Sequence, residues 1–198
     1  MSSIPLKLPN SLKKKGRFTF KQAREAGLAQ SEVIRLQKAG IIEKINRGVY
    51  EVVGRSLDPA TRDFATACLM FGEKSVIGGL TALFHYGLAD EVPSNIWVLV
   101  PPTTYTTNKS YRLIRTKLNL TVGVEEYGDY RITSLERTII EAFIFASKLG
   151  EKLAYRAALR AIKDKRTTPA KIFKMAEKLA VTKKLVKHSQ AIFGGLEA

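Results

Sequence analysis

Gln30, Ser31, Ile34, Arg35 and Lys38 are spaced as the residues of one helical face. On a wheel of about 100° per residue they fill an arc of about 140°, with Val33 and Leu36 on the far side. Amide, hydroxyl, guanidinium and ammonium groups on such a face can hydrogen-bond base edges in a major groove. An isoleucine among them can meet a thymine methyl. Lys44, Asn46 and Arg47 follow at a turn, where cations are placed for phosphates or a minor groove.

The elements needed to hold these groups are legible around them. Thr19-Phe20-Lys21-Gln22 reads as a capping box opening a short helix over Phe20–Ala26, and Gly27 suits its left-handed end. A second helix is expected from Gln30 to Ala39, stopped by Gly40. Ala29 is an unusual N-cap, and the helix starts at Ser31 if Ala29 fails in that role. Ile41–Ile45 and Val49–Val53 read as strands around Asn46-Arg47-Gly48. Pro9 and Gly16 confine any earlier helix to Leu6–Lys15. Two helices, a brief turn and a basic-tipped hairpin make a winged helix-turn-helix over residues 1–54.

Groups suited to catalysis are scarce by comparison. No Asp or Glu has a lysine two positions on, and there is no P-loop, His-Glu-x-x-His or Gly-x-Ser-x-Gly. Gly78-Gly79 is too little for a phosphate cradle. The two histidines, His85 and His188, and the single cysteine, Cys68, exclude a His- or Cys-cluster metal site and an internal disulfide framework. Cys68 reads as a core residue, and His85 as a partner for the last carbonyls of its helix. Glu125-Glu126 falls on an expected strand, with its carboxylates on opposite faces. The reading is of a non-enzyme without cofactor or metal. A nuclease is the reading that the missing acid–x–Lys element opposes.

Residues 55–198 read as a second domain of mixed α/β character. Gly54-Arg55-Ser56-Leu57 is the expected linker, and Asp58-Pro59 starts a helix over Pro59–Phe71 with Phe64, Ala67, Cys68 and Phe71 along one side. Val76-Ile77 leads to a helix over Leu80–Tyr86. Ile96–Val100 is the strongest strand, and Tyr111–Thr116 and Val122–Tyr127 are further strands. Thr133-Ser134-Leu135-Glu136 reads as another capping box, opening a helix to Ala146.

From about residue 150 the chain becomes a set of basic helices, to about 193. Lys152, Arg156, Arg160 and Lys163 share about 80° of arc, opposite Tyr155, Ala158, Ala161 and Ile162. Lys171, Lys174 and Lys178 share one side of a helix capped by Thr168-Pro169, and Lys183–Phe193 is the last expected helix. These stripes form a second basic surface for DNA, RNA or an acidic protein. The fold class expected is therefore α+β: a winged helix, then a mixed domain ending in a basic helical bundle.

The charge follows the same division. The 198 residues carry 33 basic and 18 acidic side chains, a formal +15. Residues 1–55 and 151–198 hold +8 each, and residues 56–150 hold −1. Two basic ends around a neutral middle suit a polyanionic partner. With 45% hydrophobic residues and 9% aromatics the chain is no disordered polyelectrolyte. No apolar run has the roughly 18–20 residues of a membrane span. The start lacks a secretion-signal layout, so a cytoplasmic protein is expected.

Several blocks together resemble the AbiEi family of antitoxins from type IV toxin–antitoxin systems. They are Phe18-Thr19 to Gly27-Leu28, Val33-Ile34-Arg35-Leu36, Gly40, Asn46-Arg47-Gly48-Val49-Tyr50, Gly79 to Leu88, and Ile132 to Thr138. Thr81 stands where the family pattern has Ser, Tyr86 is an insertion after His85, and Leu135 replaces Pro. The resemblance implies a transcriptional autorepressor binding inverted repeats in promoter DNA, monomeric in solution and pairing on DNA. It also implies antitoxicity against a nucleotidyltransferase-like toxin without a stable complex. The rival reading of the residues is a protein-interaction module that neutralises an acidic partner by direct docking.

Overall fold

The computed structural model describes residues 7–54 and 59–188. The expected linker at 55–57, Asp58 and the sequence from 189 onward lie outside the described residues. The chain divides into two compact units, Met1–Met70 and Phe71–Ala198.

The N-terminal unit runs α1 (Asn10–Lys15), β1 (Arg17–Thr19), α2 (Phe20–Glu25), α3 (Gln30–Lys38), β2 (Ile42–Asn46), β3 (Val49–Val52) and then α4 (Pro59–Phe71), whose last residue opens the next unit. The strands form one antiparallel sheet in the order β1-β3-β2. This is a winged helix-turn-helix with a third strand, β1, beyond the two strands expected from the sequence. Phe18 explains the strand: it is fully buried, stacks on Tyr50 of β3, and joins Leu12, Ala23, Leu28, Val33, Leu36 and Ile42 in one core.

A buried ionic knot closes this unit. Glu51 on β3 is 2% exposed and receives Arg17 from β1 and Arg62 from α4, the latter at 2.6 Å. Arg62 also pairs with Glu43 on β2, and its carbonyl accepts Arg17 Nη1 at 2.9 Å. The knot therefore ties α4 to the sheet.

The C-terminal unit contains β4 (Val76–Ile77), α5 (Gly79–His85), β5 (Ile96–Val100), β6 (Tyr111–Arg115), β7 (Val124–Tyr127), β8 (Tyr130–Thr133), α6 (Leu135–Ile144), α7 (Ala146–Leu149), α8 (Glu151–Lys163), α9 (Pro169–Lys178) and α10 (Thr182–Val186). Its sheet has the order β6-β5-β4-β8-β7, with β4 parallel to β8 and β5 parallel to β6. Gly78 and Gly79 serve close packing: a Cβ at Gly78 would sit 1.8 Å from Leu99 Cδ1. At Gly79, which has φ of +54°, it would sit 2.6 Å from the Trp97 ring.

Strand β8 corrects the reading of Thr133 as an N-cap. Thr133 is fully buried in β8, and the cap of α6 is Ser134, whose Oγ accepts the Arg137 N–H. The third helical position is thus Arg137, so no Glu closes a capping box there. Helix α6 is the unit's axis, with α5, α8, α9 and α10 packed on it. Alanines at 154, 157, 158 and 161 let α8 approach closely, all of them fully buried. The last described helix spans Thr182–Val186, and the remainder of the expected 183–193 helix falls mainly outside the described residues. Among the described residues no helix is long and apolar enough to cross a membrane.

Candidate nucleic-acid interface

Helix α3 forms although Ala29 has no capping oxygen. Glu32 supplies half of a capping box by accepting the Ala29 N–H at 2.8 Å, and the helix starts at Gln30 rather than Ser31. It ends in a Schellman turn: Ile41 N–H bonds the Leu36 carbonyl at 3.0 Å, with Gly40 at φ +68°. Val33 and Leu36 are each 1% exposed in the core, which fixes the helix's rotation.

Gln30, Ser31, Ile34, Arg35 and Lys38 are all exposed, Ile34 at 46%. Among the described residues, Arg35 and Lys38 make no ion pair or side-chain hydrogen bond. Gln37 is exposed as well. The wheel places it about 20° from Gln30, so the arc itself held the signal for this additional amide.

The hairpin is shaped by local chemistry. A register irregularity between Lys44 and Asn46 bends β2. Asn46 Oδ1 accepts the Arg47 N–H at 2.7 Å, and Gly48 takes φ of +72° to complete the turn. Lys44 and Arg47 project into solvent, and Asn46 is half-buried within the turn. The Gly48 carbonyl accepts the Phe20 N–H at 2.8 Å, so the tip is fastened to the start of α2.

The electrostatics of the unit are decided by its acids. Glu25 faces Lys21, Glu32 caps α3, Glu43 pairs with Arg62, and Glu51 holds Arg17 and Arg62. These are the four acids of residues 1–55, and all are occupied away from Arg35, Lys38, Lys44 and Arg47. A duplex approaching this surface meets donors and uncompensated cations, the combination that phosphate and base-edge contact requires.

The second basic surface is less uniform than its stripe. Lys152, Arg156 and Lys163 on α8 are exposed, as are Lys171, Lys174 and Lys178 on α9. Arg160 is not available in the same way. Its guanidinium forks onto Asp90 at 2.9 and 3.3 Å and donates to the Gly87 carbonyl at 2.9 Å. That hydrogen bonding holds the Asp90 carboxyl below its ordinary range. A wheel shows which way Arg160 points but not the acid 70 residues earlier that meets it.

Groups set aside as catalytic candidates have structural surroundings. Cys68 is buried. His85 lies edge-on to Tyr86, with desolvation lowering its imidazole below the usual value. Glu125 accepts the Tyr127 hydroxyl at 2.8 Å, while Glu126 is exposed.

Residues 7–53 match the family model described as transcriptional regulator, AbiEi antitoxin. The match covers α1 through β3, the elements that carry the exposed face and the basic turn. Among curated proteins, none matches the chain.

Proposed function

We propose that this chain is a sequence-specific double-stranded DNA-binding autorepressor, acting on inverted repeats in a promoter and serving as the antitoxin of a type IV system. The observation that supports the DNA-binding reading is the exposed face of α3, whose cations have no partner among the described residues. Gln30, Ser31, Ile34 and Arg35 read bases in the major groove. Lys38, Lys44, Asn46 and Arg47 anchor the flanking backbone. The chain is monomeric in solution and pairs on the two half-sites.

The antitoxin role is supported by the description of the family matching residues 7–53 and by the resemblance of the later sequence blocks. Its functional counterpart is a nucleotidyltransferase-like toxin, countered without a stable complex. Lys152, Arg156, Lys163, Lys171 and Lys174 extend the phosphate footprint. No catalytic step is assigned to the chain.

The test is footprinting of the full-length protein on its upstream region, followed by a salt titration of the protected site. Protection of paired repeats, with log K falling against log salt at a slope of about −4 to −5, fits roughly five neutralised phosphates per protomer. Uniform, sequence-independent coverage overturns the reading. Co-purification of an acidic neighbour at moderate salt, with no operator protection, favours the docking module instead.

A further inference from the structure

The C-terminal unit carries a groove that the DNA-reading proposal does not use. It lies where the end of β6 meets the end of α6 and the α9–α10 junction, with a volume of about 550 Å³. Arg115, Lys117, Lys178 and Lys184 ring it, Leu118 and Phe145 are among its apolar lining residues, and no carboxylate among the described residues lines it. Arg115 is positioned by its Nε, which donates to the Thr104 carbonyl at 2.8 Å. Among the described residues, Lys117, Lys178 and Lys184 have no ion pair or side-chain hydrogen bond. The Phe145 carbonyl already accepts the Lys148 and Leu149 N–H groups at 2.8 and 3.1 Å, so it does not satisfy these cations.

Four cations around one open, partly apolar groove gather positive charge where a dense anion could sit among them. The volume suits a small molecule rather than a duplex. An acidic peptide brings about one charge per 3.3 Å of chain, whereas linked phosphates bring comparable charge within a few bonds and accept several N–H donors each. Phe145 and Leu118, both partly buried against the core, put apolar lining beside the charge, which a free inorganic anion does not need but a base does. Asn119 also lines the groove. Its Oδ1 is held by the Thr121 N–H at 2.9 Å, which leaves its amide nitrogen as a donor toward a base edge.

We propose that this groove binds a nucleoside triphosphate, its phosphates held by Arg115, Lys117, Lys178 and Lys184 and its base resting on Phe145 and Leu118. The site is independent of the reading face on α3, and either assignment can fail while the other stands.

The experiment is a fluorescence titration of the full-length protein with mant-ATP at low salt. Unlabelled ATP, adenosine, inorganic triphosphate, poly-glutamate and the protected operator duplex serve as competitors. Saturable binding is expected, displaced by ATP and far less by adenosine or triphosphate alone. The exposed-residue variants Lys117→Gln/Lys184→Gln and Lys178→Gln should unfold at the wild-type temperature, and the double variant should lose at least about tenfold in affinity. Arg47→Glu should bind mant-ATP like wild type. Absence of saturable binding overturns the proposal, as does an unchanged double variant. Triphosphate competing as well as ATP reduces the site to an adventitious anion trap, and stoichiometric displacement by poly-glutamate or duplex assigns the groove to those partners; each overturns it.

Discussion

Arg35 and Arg137 both sit on helices within sequence blocks that resemble one family, and their surroundings are opposite. Arg35 stands in solvent on α3 with no partner among the described residues. Arg137 is completely buried: it donates to Glu141 at 2.8 Å and to the Asn119 carbonyl at 2.8 Å, and it also bonds the Val122 carbonyl. The first is a cation held ready for something outside the molecule. The second clamps a loop from within, where charge must be matched or folding suffers. Arg160 lies between the two cases, exposed by its helix but forked onto Asp90. Arginines in two such blocks therefore differ in kind, one open to solvent and the other part of the unit's architecture.

The comparison breaks most readily at Arg137. Arg137→Leu strands the buried Glu141 and should cost about 3–5 kcal/mol in denaturant unfolding of the C-terminal unit. A loss below about 1 kcal/mol would show that the clamp is dispensable. Arg35→Ala should leave stability within about 0.5 kcal/mol and weaken the cognate operator by about 1–3 kcal/mol, with much less effect on random DNA. An equal loss on both duplexes removes Arg35 from base reading.

Smaller effects sharpen the contrast. Complete burial pushes the Glu141 carboxyl up to about 7, despite the opposing pull of Arg137. An unfolded glutamate titrates at about 4.3. Between these values the native chain retains a proton that the unfolded chain has released, so this group's stabilisation is lost as pH rises through about 7. The stability of wild type relative to Glu141→Gln should therefore fall between pH 5 and 8, measured by urea midpoints. Ala29→Ser should add about 0.5–1 kcal/mol to the N-terminal unit by completing the cap that Glu32 half supplies. Asp90→Asn removes the charge that compensates Arg160. It should steepen the salt dependence of DNA binding by about one counterion if the α8 stripe touches phosphates, and an unchanged slope confines the footprint to the first unit.

Short-range chemistry made much of the N-terminal unit legible. Thr19 and Gln22 form their reciprocal cap, Gly40 ends α3, and Val33 and Leu36 face inward. What escaped depended on distant partners. The three residues of β1 are too few to show a period, and only Glu51, 34 positions away, reveals why Arg17 is buried. Thr133 matched a capping pattern locally, but pairing with Val124 drew it into a strand. The groove escaped for the same reason, since β6, α6, α9 and α10 each contribute only part of its lining.

The bond from Phe20 N–H to the Gly48 carbonyl has a mechanical corollary. It makes the helix pair and the hairpin tip a calliper set to one opening before any encounter. Little flexibility is then left to freeze on docking, which lowers the entropic toll of association. Under the proposed DNA-binding reading, a duplex whose groove-to-backbone width differs from that opening must deform to be gripped, so local helical geometry would be a second source of discrimination beside the bases.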